Sequence, residues 1–215
     1  MRVLLFGATG MIGQGVLREC LLDSEVASVT SIGRASTGVV HPKLREIVHA
    51  DLYDYDGLAL EGFDACLFLL GVCSAGMSEQ QYRRITYDLT LAAANALVQR
   101  NPQLTFIYVS GEGTDANGRA MWARVKGETE NALLRLPFRR AFMFRPAFIQ
   151  PMHGEKSRTR VYRILYLFVA PFVPLLRRLI PQYFTTTEQI ARAMLRVAKH
   201  GGEKQILHTA DINRI

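Results

Sequence analysis

The stretch FGATGMIGQG places glycines at positions 7, 10 and 13 directly after an apolar run, RVLLF. A helix that starts in such a loop presents free amides and the positive end of its dipole, and glycine lets an anion come close to the backbone. The chemistry indicated is binding of a pyrophosphate, and with it a dinucleotide, by Gly7, Thr9, Gly10, Met11, Ile12 and Gly13. Further on, TSIGRAST carries Arg34 where a carboxylate would select a free ribose 2′-hydroxyl. A guanidinium there pairs with a 2′-phosphate, so NADP(H) is preferred over NAD(H), although a solvated surface arginine fits the same spacing. HADLYD supplies Asp51 and Leu52. Two readings stand for that aspartate: an acceptor for an adenine amino group, with Leu52 against the ring, or a cap on the following turn. A third constellation is Trp122, the lone tryptophan, four residues before Lys126 in GRAMWARVKGETE. On a helix both face one way, one turn apart.

These residues need a scaffold to bring them together. RVLLF (2–6), VASVTSI (26–32), REIVHA (45–50), ACLFLL (65–70), LTFIYV (104–109) and RAFMF (140–144) read as buried strands, too apolar for a one-sided sheet. Helical patterns lie between them. In residues 79–100, Tyr82, Ile85, Leu89, Ala92 and Ala96 form one apolar stripe, which Asn101-Pro102 closes. In TTTEQIARAMLRVAKHGG, Thr185 and Glu188 have capping-box spacing, Ile190, Met194, Val197 and Ala198 mark the buried face, and Gly201-Gly202 ends the helix. The alternation predicts an α/β chain of the doubly wound Rossmann type. It has a mostly parallel sheet of six to seven strands, helices on both faces and a small C-terminal helical appendage. Residues 1–215 read as a single dinucleotide-binding domain, with 150–185 as a small substrate-lid or interaction segment.

Composition narrows the classes. The 49% hydrophobic content supports a full core, and 21% charged residues argue against disorder. Cys20, Cys66 and Cys73 form no metal-like cluster and read as small hydrophobes, so no metal site is expected. The net charge of +7 is concentrated between Glu155 and Glu188, where Lys156, Arg158, Arg160, Arg163, Arg177 and Arg178 occur without an acid. The remainder is near neutral, which excludes a protein-wide nucleic-acid surface. The basic, apolar segment 156–180 has three readings: a lid over the substrate, a homo-oligomer face, or a peripheral membrane element. Pro171 and Pro174 interrupt it, and its apolar run is short for a bilayer span. A strand beginning at residue 2, with no signal-peptide pattern, suggests a cytoplasmic protein, with membrane association as the variant that 156–180 would add.

Taken together, the glycine loop, Arg34, Asp51-Leu52, LLGVCSAG, YVSGEGTD and VKGETE resemble the short-chain dehydrogenase/reductase superfamily. The closer resemblance is to its atypical epimerase/dehydratase and TIP30-like branch, over about residues 1–150. RPAFI (145–149) and TTTEQIARAM (185–194) extend it less specifically. The resemblance implies a small carbonyl or hydroxyl substrate, a serine that orients its oxygen, a tyrosine that exchanges the proton and a lysine that holds the nicotinamide ribose. Ser110 and Lys126 match the serine and the lysine. Leu70, Gly71, Pro146, Ala147 and Phe148 fall where the family contacts the cofactor. The tyrosine position is Trp122, whose indole N–H is a donor without an accessible ionisation and cannot relay a proton. Among the eight tyrosines, Tyr82, Tyr87, Tyr108, Tyr162 and Tyr183 are the candidates to replace it, although Tyr108, on a buried strand, and Tyr82, on the apolar stripe, also read as packing residues. Two functions follow: an NADP(H)-dependent oxidoreductase or epimerase-like enzyme, or a catalytically impaired NADP(H)-binding sensor or scaffold.

Overall fold

In the computed structural model, which describes residues 1–155 and 180–215, each apolar run becomes a strand. The order is β1 (Arg2–Phe6), α1 (Met11–Leu22), β2 (Ser28–Gly33), β3 (Leu44–Val48), β4 (Ala65–Phe68), α2 (Glu79–Arg83), α3 (Leu89–Val98), β5 (Thr105–Val109), α4 (Met121–Arg135) and β6 (Arg140–Arg145). Then come β7 (Phe148–Gln150), β8 (Phe184–Thr186), α5 (Thr187–His200), β9 (Ile206–His208) and α6 (Thr209–Ile212). Seven strands form one sheet in the order β3-β2-β1-β4-β5-β6-β9, every pairing parallel, while β7 and β8 make a separate parallel pair. This is a Rossmann-like sheet with helices on both faces.

Alternation along β1 shows why its apolar run has no polar side. Val3 and Leu5 pack with α1 and α5, whereas Leu4 and Phe6 pack on the opposite face with α3 and Leu133 of α4. Burying each of the large side chains is worth about 1.5–3 kcal/mol relative to exposure, so a register slip of one residue would disrupt both layers at once.

The helix expected over 79–100 is interrupted. Ser78 caps α2 in a capping box with Gln81, and a π-turn over Arg84–Asp88 then leads into α3. The extra residue in that turn rotates the buried face. After it, Leu89, Thr90, Ala93, Ala94 and Leu97 are the buried positions, rather than Ala92 and Ala96. The closing Asn101 is buried, with its amide bonded to the Leu60 and Leu97 carbonyls and its side-chain oxygen accepting from Phe63 N.

The cap of α5 also lies one residue later than the spacing of Thr185 and Glu188 suggests. Thr186 accepts from Gln189 N at 3.0 Å, because Thr185 is already a strand residue paired with Ile149. Gly201 ends the helix at φ +81°, as the sequence indicates. The lid or interaction segment placed at 150–185 falls mostly outside the described residues, and so do all the basic residues of 156–180. No helix among the described residues is long and apolar enough to cross a membrane.

Candidate dinucleotide-binding site

The strand order reverses between β1 and β4, and in open parallel sheets the crevice at such a point receives ligands. Gly7 leaves β1 at φ +81°, and a Cβ on it would lie 2.8 Å from the Leu69 backbone. A Cβ on Gly13 would lie 2.0 Å from the Gly7 carbonyl oxygen. No side chain fits at either position, so the turn folds onto β4 and α1 only with glycine. Gly10 N donates to Gly7 O at 2.9 Å, and Gly10 caps α1 without a side chain. The first amides of α1, at Met11, Ile12 and Gly13, have no partner within the helix and are left for an anion. The residues present therefore fit a pyrophosphate.

The remaining candidates sit at the carboxyl ends of successive strands. Arg34 follows β2, is exposed, and makes no ion pair among the described residues. Asp51 is exposed and its Oδ1 accepts from Tyr53 N at 2.9 Å, so the turn-capping reading is realised; Leu52 beside it is buried. Leu70 and Gly71 follow β4, half-buried and exposed respectively. Pro146 is buried after β6. The Ala147 amide is already taken, donating to Thr209 Oγ1 at 2.9 Å, and Phe148 starts β7 with its ring 4.9 Å from that of Phe184.

Beyond β5 the geometry departs from what the resemblance implies. Ser110 is buried, and its hydroxyl points inward, donating to Glu130 Oε1 at 2.5 Å with a second contact to Phe144 O at 3.2 Å. It is not presented to a substrate oxygen in this arrangement. Lys126 does converge on the same residue, donating from Nζ to the Ser110 carbonyl. It is half-buried, and desolvation of the ammonium lowers its pKa to about 8, with Glu130 one turn on opposing the shift. Glu130 itself is 1% exposed and held by both Nε (3.0 Å) and Nη2 (2.5 Å) of Arg145.

Neither Glu130 nor Arg145 was identified as part of the site from sequence. The i, i+4 spacing of Lys126 and Glu130 was the available signal. Their pairing with Ser110 and Arg145 depends on how α4 packs on β6.

Trp122 is half-buried on the first turn of α4, and its ring edge lies 3.3 Å from where a Cβ on Gly113 would be. The indole thus abuts the loop that follows β5. Three of the candidate phenols, Tyr82, Tyr108 and Tyr87, are held in packing or ring contacts. Tyr82 and Tyr108 are buried, and burial pushes the Tyr108 hydroxyl far above its usual range. Tyr87 lies beneath the Arg83 guanidinium, 4.5 Å from ring centre to carbon. Tyr183 is exposed beyond β7, and Tyr162 lies outside the described residues. Burial also raises the thiols of Cys66 and of Cys20, the latter to about 12, as expected of packing residues. No cluster of potential metal ligands occurs among the described residues.

The fold is that of the short-chain dehydrogenase/reductase and NAD-dependent epimerase structures. MoeE5 in complex with UDP-glucose and NAD superposes at a TM-score of 0.69 with 18% identity, covering 96% of this chain and 75% of that one. A short-chain dehydrogenase/reductase family oxidoreductase from Burkholderia thailandensis gives 0.64 at 18% identity, covering 93% and 85%. No family model matches the chain.

Among curated proteins, the chain is similar to FMP52-2, mitochondrial, of Scheffersomyces stipitis: 28% identical over 160 residues, 73% of this chain and 68% of that one. It is also similar to fmp52-2, mitochondrial, of Aspergillus oryzae: 25% identical over 221 residues, 98% and 95% of the two chains. FMP52, mitochondrial, of Saccharomyces cerevisiae is 27% identical over 165 residues, 74% and 69%. These names overturn the cytoplasmic expectation. An early first strand dictates where the sheet begins, and it carries no information about compartment.

Proposed function

We propose that the chain is an NADP(H)-binding protein of the oxidoreductase/epimerase type, in the TIP30-like branch, which holds its cofactor without the usual phenol for proton relay. The observation that carries this reading is the glycine loop, closed to side chains at Gly7 and Gly13 and opening onto the start of α1. In this reading those amides hold the pyrophosphate and Arg34 the 2′-phosphate. The second carboxylate oxygen of Asp51, with Leu52, serves the adenine. Lys126 donates to the nicotinamide ribose between Leu70-Gly71 on one side and Pro146-Ala147-Phe148 on the other. The bound dinucleotide would supply a hydride to, or take one from, a small carbonyl or hydroxyl compound.

The inward-facing Ser110 hydroxyl and the indole at position 122 favour retention of the cofactor over rapid turnover, as in a redox-state sensor or scaffold. Because Trp122 is the lone tryptophan, quenching of its emission by reduced nicotinamide reports binding directly. Micromolar NADPH binding with no turnover across a carbonyl panel is expected. Arg34→Glu should reverse the preference for NADPH over NADH, and equal NADPH affinity in that variant refutes the 2′-phosphate assignment.

A second reading, slow catalysis, is favoured by Lys126, whose lowered pKa makes its ammonium a usable acid near neutral pH. Measurable reduction that vanishes in Lys126→Met, with NADPH still bound at saturating concentration, would establish it. Trp122→Tyr should then raise the rate.

A further inference from the structure

The β2–β3 connection contains a polar clamp with no part in the reading above. Ser36 Oγ donates to Glu46 Oε2 at 2.6 Å, and Thr37 N donates to Glu46 Oε1 at 2.7 Å. One carboxylate on β3 thus holds two successive residues of the loop, one with each oxygen. The loop closes on itself beyond that point, with Gly38 N donating to Ser36 Oγ at 3.1 Å and Val39 N to Thr37 Oγ1 at 3.2 Å. On the other side, Gly33 is the last residue of β2, paired with Val48, and its carbonyl accepts from His49 N at 2.9 Å. Arg34 and Ala35 are therefore the only residues between two anchors, both provided by β3 and the residue after it. The Arg34 backbone is fixed from both ends, while its guanidinium is exposed and has no acidic partner among the described residues. Desolvation opposes ionisation of Glu46, but the bonds from Ser36 and Thr37 outweigh it and hold the carboxyl below its ordinary range.

We infer that Glu46 is a specificity-determining positioning residue, which pins the 34–37 loop so that Arg34 meets a phosphate monoester on the ligand's ribose at little ordering cost. The inference rests on the NADP(H) reading proposed above. Its physical basis is preorganisation. A free loop must be ordered when the phosphate binds, whereas a loop already tied by two bonds at 36–37 and by the sheet at 33 is in place beforehand. The carboxylate's oxygens are occupied by loop donors, so the clamp anchors the loop without taking the Arg34 charge for itself.

The test uses the full chain and compares NADPH and NADH dissociation constants, read from Trp122 emission and checked by calorimetry. Glu46→Ala should weaken NADPH about tenfold, the scale of releasing one or two ordered groups, and leave NADH within about twofold. Glu46→Gln, which keeps the shape and one acceptor, should fall between wild type and Glu46→Ala and guards against misfolding of the alanine variant. Equal weakening of both nucleotides would make Glu46 merely structural and overturn the inference. So would tighter NADPH binding, the result expected if the carboxylate acts only by repelling the phosphate. A NADPH/NADH ratio that falls in Arg34→Glu but stays constant in both Glu46 variants removes this inference and leaves the NADP(H) reading intact. A ratio unmoved in Arg34→Glu removes the reading itself.

Discussion

If Lys126 holds the ribose with its ammonium, cofactor affinity must fall when that ammonium loses its proton. Free lysine titrates near pH 10.4, too high to influence binding between pH 7 and 9. In this protein desolvation brings Lys126 down to about 8. At pH 7 about nine-tenths of the molecules carry the charge, and at pH 9 about one-tenth do. If only the charged form binds well, the NADPH dissociation constant should rise about tenfold between those two pH values. The ligand's pyrophosphate is a diester that is charged across the whole range, and its 2′-phosphate monoester, with a second ionisation near pH 6, is already largely dianionic there. Stability of the free protein should move the other way. The folded pKa lies below the unfolded one, so between roughly pH 8 and pH 10.4 the unfolded chain binds more protons and Lys126's contribution favours folding as pH rises. Titration of NADPH by Trp122 emission across pH 7 to 9, repeated on Lys126→Met, separates the two effects. The variant should bind weakly at every pH with a flat profile. A flat profile in the wild-type protein, or an unchanged slope in the variant, refutes the role given to the lysine.

Other perturbations follow from the same geometry. Gly13→Ala places a Cβ 2.0 Å from the Gly7 carbonyl oxygen, so backbone must shift; a loss of about 1–3 kcal/mol in denaturant unfolding and abolition of NADPH binding are expected. Glu130→Ala leaves the Arg145 guanidinium without its partner in a nearly buried site, which should cost about 3–5 kcal/mol and lower Tm by about 10 °C for a chain of this size. A Tm within a degree or two of wild type would show that the pair contributes little. Ser110→Ala removes one hydrogen bond from the same carboxylate and should cost about 1–2 kcal/mol, with NADPH affinity retained because the Lys126 contact is to the backbone carbonyl.

Much of this architecture is local chemistry written along the chain. The apolar pentad RVLLF followed at once by Gly7 is enough to place a strand, a tight turn and a helix start, because those depend on residues within about ten positions of each other. Gly201 as the end of α5 was legible for the same reason. Elements whose limits depend on pairing partners were less so. The Thr185 and Glu188 spacing looked like a cap, yet Thr185 was claimed by β7 through Ile149 and the cap moved to Thr186. The π-turn at Arg84–Asp88 likewise moved the buried face of the helix that follows it, which period counting alone does not foresee.

The site divides along the same line. The sequence by itself determined the glycine loop, the absence of an acid at Arg34 and the indole at position 122, since these are matters of residue type at a given spacing. Tertiary structure decided what the polar side chains do. Ser110 reads as a free active-site hydroxyl until α4 packs on β6 and brings Glu130, clamped by Arg145 of β6, to its hydroxyl. Glu46 reads as an ordinary strand acid until the β2–β3 connection folds back onto it. Hydrogen bonds between residues nine to thirty-four positions apart require distance and angle to be right together, and the packing of the elements fixes both.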